Sequence, residues 1–217
     1  MDFKIARHNM VYQQVRPWDV SNLKILSVLD NLPRERFVLE HFKHLAYSDT
    51  SLPIGQDQYM LSPKMVGKIL QALQLNKEDA VLEIGTGTGY LTAALAELAK
   101  RVVTIESQPE LLEKAKENLA NLHITNVQFE LGDGLQGYKA LAPFSVIVLT
   151  GSLPFLPRNL LEQLSTHGRL FAIVGKEPLM SAVLLTKIKE EGWQEETLFE
   201  TLIPPLNTAL KKDNFKF

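Results

Sequence analysis

Apolar positions follow two different rhythms along this chain, and the change comes near residue 80. Before it the spacing is helical. In residues 20–32, "VSNLKILSVLDNL", Val20, Leu23, Ile25 or Leu26, and Leu29 share one face, with Ser21 placed as the cap. "PRERFVLE" follows, with Pro33 set to start a helical turn. "SDTSLPIGQDQ" (48–58) is rich in turn formers and predicts a loop. In residues 62–75 Ser62 is the predicted cap, Pro63 the first helical residue, and Met65, Ile69, Leu70 and Leu73 the apolar face. From residue 80 strand-like and helical stretches alternate. "AVLEI", "RVVTIE", "VQFEL", "SVIVLT" and "GRLFAIVG" are strand-like; "YLTAALAELAK", "PELLEKAKENLANL" and "RNLLEQLS" are helical. "MSAVLLTKIKEE" and "WQEETLFETLI" predict a final antiparallel pair. The alternation implies βαβ units: an α/β, doubly wound, mostly parallel Rossmann-like sheet with a helical N-terminal extension. Residues 1–78 form the extension and 79–217 the sheet domain. Ligands on such sheets lie beyond the carboxyl ends of the strands.

Composition narrows the chemistry. The 217 residues include no cysteine, which excludes disulfides, thiolate-held metals and a thiol nucleophile. A net charge of −2 without a dense basic stripe does not suggest nucleic acid as a partner. The N-terminus is mixed polar, and no apolar run approaches a membrane span, so a cytoplasmic protein without membrane contact is expected. His41 and His44 are three apart but lack a third ligand, so no metal site is expected. Trp18 and Trp193 are read as packing residues, and the tail "LKKDNFKF" as a frayed terminus.

The candidate chemistry sits in "VLEIGTGTGYL", residues 81–91. Gly85, Gly87 and Gly89 allow positive φ and leave no Cβ between ligand and main chain. A dinucleotide fingerprint requires glycine at position 90, and Tyr90 stands there. An acidic residue, Glu83, followed by G-x-G-x-G resembles motif I of S-adenosylmethionine-dependent methyltransferases. That cofactor carries ribose hydroxyls, which suit a carboxylate at the end of the second strand, and Glu106 stands 17 residues after Gly89. Its adenine amino group suits an acceptor after the third strand, where Asp133 sits between Gly132 and Gly134.

Upstream the resemblance becomes specific. Gln14, Arg16, Pro33-Arg34-Glu35 with Phe37, Ala46-Tyr47 and Leu52-Pro53-Ile54-Gly55 are similar to the N-terminal region of the protein-L-isoaspartate O-methyltransferase family. The likeness continues through "VLEIGTGTGY", "RVVTIE", "NVQFELGDG" and "LEQLSTHGRLFAIVG", covering most of residues 10–176. It implies S-adenosylmethionine as cofactor and an isoaspartyl protein or peptide as partner, with the enzyme a monomer. The extension then shapes the acceptor pocket. Glu83, Gly85, Thr86, Gly87 and Gly89 line the methionine end, Glu106 holds the ribose and Asp133 the adenine. Tyr90, Ser107 and Gly134 complete the cofactor-binding set. The implied reaction is methyl transfer to the carboxylate of an isoaspartyl residue in damaged protein. That carboxylate, with a pKa of about 4, needs positioning rather than a base.

The acceptor half departs from the family. Where the family has a segment resembling Gln-Thr-Ile-Ser-x-Pro, this chain reads Gln58-Tyr59-Met60-Leu61-Ser62-Pro63, so leucine replaces the positioning serine. Ser62 is the candidate catalytic hydroxyl in its place, although it also fits as a helix cap; Tyr59 offers a phenolic alternative. Ser145 replaces an acidic residue, Leu153 and Phe155 make the "GSLPFLP" loop bulkier, and the C-terminal segment reads Leu202-Ile203-Pro204-Pro205-Leu206 without the family's arginine. Three readings stand: isoaspartyl repair, methylation of another, less anionic acceptor, or cofactor binding without transfer.

Overall fold

The extension begins with α1 (Phe3–Asn9), capped by Asp2, whose carboxylate accepts from the Lys4 and Ile5 amides, and it runs on helically over Met10–Val15. The structure, a computed structural model, describes residues 2–189 and 192–206, so the tail "LKKDNFKF" lies outside the described residues. α2 (Leu23–Asn31) is capped by Asn22, not Ser21 as the sequence suggested. Its buried face is Ile25, Leu26 and Leu29; Leu23, at the first turn, is exposed. Each such buried side chain contributes about 1.5–3 kcal/mol, so three of them hold α2 by several kcal/mol.

The stretch read as a loop contains a short antiparallel hairpin, β1 (Leu52–Gly55) and β2 (Gln58–Met60). Gln56 and Asp57 turn it with positive φ. α3 (Pro63–Leu73) follows as predicted, its first turn closed by the Met65 amide donating to Ser62 Oγ. Such a cap stabilises a helix by about 1 kcal/mol. Trp18 is only half-buried; Lys64 Nζ lies 4.2 Å from its ring centroid and Lys68 Nζ 5.9 Å.

The sheet uses seven strands: β3 (Ala80–Ile84), β4 (Arg101–Glu106), β5 (Val127–Leu131), β6 (Phe144–Leu153), β7 (Leu164–Lys176), β8 (Leu179–Lys189) and β9 (Gly192–Glu200). Their spatial order is β5-β4-β3-β6-β7-β8-β9, parallel through β7, with β8 and β9 antiparallel as expected for the last pair. α4 (Tyr90–Leu98) and α5 (Pro109–Ala120) make the first two crossovers; α6 (Arg158–Glu162) is shorter than the predicted helix because the chain is already strand from Leu164. Trp193, on β9, packs against the cluster on the far face of the sheet.

β3 is apolar but for Glu83 because both its faces are covered. Val81 joins the cluster that includes α2, α3 and α4; Leu82 and Ile84 join the one on the opposite face. α4 buries every residue except Glu97. A helix apolar all round needs cover on its outer side, and the extension supplies it: Val15, Val20, Leu26 and Leu29 share a cluster with Ala93, Ala94 and Leu95. Among the described residues no helix is long and apolar enough to cross a membrane.

Candidate active site

Strand order reverses at β3, which has β4 on one side and β6 on the other. A cleft opens there, beyond the carboxyl ends of β3, β4, β5 and β6. One wall is the loop after β3. Gly85, Gly87 and Gly89 have φ of 94°, 55° and 91°. A Cβ on Gly85 would run into the Thr150 hydroxyl. Thr150 donates to the carbonyls of Gly85 (2.7 Å) and Ile84 (3.1 Å), and it reaches them because β6 carries a bulge between Val148 and Ser152. Asn118, buried on α5, fixes the far end of the loop by donating to the Thr88 carbonyl at 2.9 Å.

Glu106 ends β4 and lines the cleft. Its Oε2 accepts from the Gly87 amide at 2.8 Å, and Oε1 from the amides of Ser107 (2.9 Å) and Gln108 (3.0 Å). Three main-chain donors therefore set the orientation of the carboxylate. The Ser107 hydroxyl adds a longer contact to Oε1 at 3.4 Å; Oε2, with a single amide, keeps an acceptor position for hydroxyl groups in the cleft.

Seven of the expected site residues line this cleft: Gly85, Thr86, Gly87, Tyr90, Glu106, Ser107 and Gly134. Four do not, and each has a physical reason. Gly89 faces α5, where a Cβ would come within 2.6 Å of Leu119 Cδ1, so this glycine serves helix packing. Asp133 is exposed and caps the turn after β5, accepting from the Leu135 amide at 3.0 Å; Gly132 and Gly134 form the wall there. Ser62 is the α3 cap. Glu83 alternates to the α4 side of β3 and is fully buried. Its Oε2 accepts from the hydroxyls of Thr92 (2.5 Å) and Thr104 (2.7 Å), while Oε1 has no partner among the described residues. Thr104 lies 2.6 Å from the hydroxyl of Thr86, which links Glu83 to the cleft wall. Burial pushes the Glu83 carboxyl up to about 8; the two threonine bonds pull against this.

The opposite wall is the hairpin: Ser51, Ile54, Gln58, Tyr59, Met60 and Leu61. Leu61 is on the wall, but Leu153 is buried in the far-face cluster and Phe155 is 72% exposed, so those two do not shape the cleft. Ser145 serves the sheet instead, its hydroxyl bonding both the amide (2.8 Å) and the carbonyl (3.1 Å) of Ala80. Among the described lining residues the only charged side chain is Glu106.

Behind this wall stands Arg34, fully buried. Its Nε donates to the Ala46 carbonyl at 2.9 Å and one terminal nitrogen to the Leu61 carbonyl at 2.7 Å. The guanidinium carbon is 4.7 Å from the centroid of the Tyr90 ring, which also packs edge-on against Phe37. Burial pulls the Arg34 pKa down and the Tyr90 interaction opposes this; a guanidinium stays charged. No carboxylate pairs with it among the described residues.

The last wall is the C-terminal segment that the sequence placed in the acceptor half. Pro204, Pro205 and Leu206 cross the cleft because Ser152 holds them: its amide donates to the Pro204 carbonyl (3.0 Å), its hydroxyl to the Ile203 carbonyl (3.0 Å), and its carbonyl accepts from the Leu206 amide (3.1 Å). Leu206 covers Gly85 and Gly151, where a Cβ would crowd its side chain. Thr88, missed from the sequence, lies inside the glycine motif and lines the cleft, while its hydroxyl is buried without a partner among the described residues.

The chain is similar to known proteins. Residues 6–209 match the family model described as Protein-L-isoaspartate(D-aspartate) O-methyltransferase (PCMT). A protein-L-isoaspartate O-methyltransferase of Methanoculleus marisnigri is 40% identical over 186 residues, 86% of this chain and 84% of that protein. One from Pseudomonas paraeruginosa is 41% identical over 188 residues, 86% of this chain and 89% of that protein. A solved protein-L-isoaspartate O-methyltransferase superposes with a TM-score of 0.81 at 26% identity, over 92% of this chain and 65% of that longer one. A Plasmodium falciparum structure of the same description, in complex with S-adenosyl-L-homocysteine, superposes at 0.81 with 20% identity over 92% and 97%, a likeness of fold. The chain belongs to the protein-L-isoaspartate O-methyltransferase family of S-adenosylmethionine-dependent methyltransferases.

Proposed function

We propose that the chain binds S-adenosylmethionine in the cleft below β3 and β4 and transfers its methyl group to the carboxylate of an isoaspartyl residue. The observation that carries this reading is the Glu106 carboxylate, oriented by three main-chain amides at the rim of a glycine loop and facing the same cleft as the hairpin wall.

The residues fit the cofactor. Gly87 and Gly132 leave room where other residues would project a Cβ. Glu106 matches a ribose diol. Gly85, Thr86 and Gly87 present main chain to the methionine end, with Tyr90, Ser107 and Gly134 at the margins. Glu83 and Gly89 act from behind the loop, and Asp133 reaches the adenine end from the rim. When bound, the cofactor supplies a methyl group on a sulfonium, open to attack by an oxygen nucleophile.

The protein's part is placement. An isoaspartyl carboxylate is ionised at neutral pH and needs no base. Ile54, Met60, Leu61 and Leu206 shed water around it, which strengthens electrostatic interactions inside. The positive charge of Arg34 lies directly behind Leu61 and Tyr90 and favours an anion at that wall. Residues 1–78 shape this acceptor end; the hairpin within them supports that division of labour. A cytoplasmic monomer acting on an isoaspartyl protein or peptide completes the proposal.

A second reading, methylation of a less anionic acceptor, is favoured by Leu61 and by the lack of a cationic side chain among the described lining residues. Labelled methyl transfer to an isoaspartyl peptide, run beside the matching aspartyl peptide, separates the two. The first reading expects label only in the isoaspartyl peptide. Cofactor binding by calorimetry without label in either peptide overturns the first.

A further inference from the structure

A carboxylate acceptor desolvated against Leu61 would lack a hydrogen-bond donor at that point. The hairpin register shows where one stands. β1 and β2 pair Leu52 with Met60 and Pro53 with Tyr59. Ser51 and Leu61 flank the strand ends, and extending the register by one step sets them opposite each other. Residues directly opposite on antiparallel strands have Cβ atoms about 5 Å apart and project to the same face. Ser51 and Leu61 both line the cleft. The Ser51 hydroxyl takes part in no hydrogen bond among the described residues, so it is available to a ligand.

The segment is held in place. Asp49 accepts from the Lys64 amide at 3.1 Å and pairs with Lys64 Nζ at 3.0 Å, tying the approach to Ser51 onto the first turn of α3. Arg34 bridges the carbonyls of Ala46 and Leu61, stapling together the two chain segments that carry Ser51 and Leu61. A hydroxyl fixed this way loses little freedom when it meets an acceptor.

We propose that Ser51 is a catalytic residue of this chain: its hydroxyl donates to the isoaspartyl carboxylate and holds it for transfer, in place of a serine at position 61. The inference rests on the isoaspartyl reading above. The test compares the full-length parent, Ser51→Ala, Ser51→Thr and the double variant Ser51→Ala/Leu61→Ser. Each is assayed for labelled methyl transfer to the isoaspartyl peptide and, by calorimetry, for S-adenosylhomocysteine binding. A hydrogen bond to a charged group predicts a fall in kcat/KM of roughly tenfold to a hundredfold in Ser51→Ala, with cofactor binding unchanged. Ser51→Thr should keep most of the activity, and Leu61→Ser should restore much of what Ser51→Ala loses. An active parent with Ser51→Ala at parental kcat/KM overturns the role of Ser51 and leaves the isoaspartyl reading standing. A parent that binds cofactor yet does not methylate the isoaspartyl peptide overturns both.

Discussion

The two walls of the cleft are built by different means. The cofactor wall is mostly main chain: a glycine loop, three amides on Glu106, and carbonyls tied down by Thr150 and Asn118. The acceptor wall is mostly side chain, on a hairpin whose strands are only three or four residues long. Main-chain geometry survives most substitutions elsewhere, so a wall made from it keeps a recognisable motif. A side-chain wall can change its chemistry one residue at a time, as Leu61 shows.

The largest expected effect lies on the cofactor side. Glu106→Ala removes the acceptor for the ribose and leaves three amides without their partner. S-adenosylmethionine should then bind about a hundredfold more weakly or worse by calorimetry, while unfolding stays cooperative. Near-parental affinity would mean that the fixed carboxylate is not the anchor.

Next comes Glu83, whose carboxyl is raised to about 8 against an ordinary value of 4.5. The folded state therefore holds a proton that the unfolded state has released between those two values. Stability from this group is complete below about pH 4.5, falls as pH rises, and is gone above about pH 8. The slope cannot exceed about 1.4 kcal/mol per pH unit. Glu83→Gln, which mimics the protonated form, should flatten the decline in urea unfolding between pH 5 and 8. A parent and variant with parallel profiles would show that Glu83 is already ionised when folded.

The smallest effect separates the walls most sharply. Ser62→Ala should cost about 1 kcal/mol of stability through the lost α3 cap and leave methyl transfer at the parental rate. A tenfold drop in transfer at unchanged cofactor affinity would instead give that hydroxyl the chemical role considered for it from the sequence.

The same contrast decided what was legible beforehand. β3, β4 and β6 announce themselves as apolar runs, and Pro63 and Pro109 mark helix starts, because those signals are local. The hairpin did not, since Leu52-Pro53-Ile54-Gly55 carries a proline and a glycine in four residues and reads as a turn. Glycines of one motif also look alike in sequence, yet Gly87 clears space in the cleft while Gly89 admits α5. Leu153 and Phe155 were expected near the acceptor, but β6 runs on to Leu153 and carries it into the core. Leu206 is 121 residues from the Gly85 it covers, and only the path of the folded chain brings them together.

Trp18 and Trp193 give these two regions separate optical labels. The chain has two tryptophans. One is half-exposed on the extension under two lysines, and the other is on β9 at the edge of the sheet. Each has its own neighbours, Lys64 and Lys68 at Trp18 and Lys187, 5.2 Å from the ring centroid, at Trp193. A melt followed by intrinsic fluorescence can then show whether the extension and the sheet lose structure in one event or in sequence.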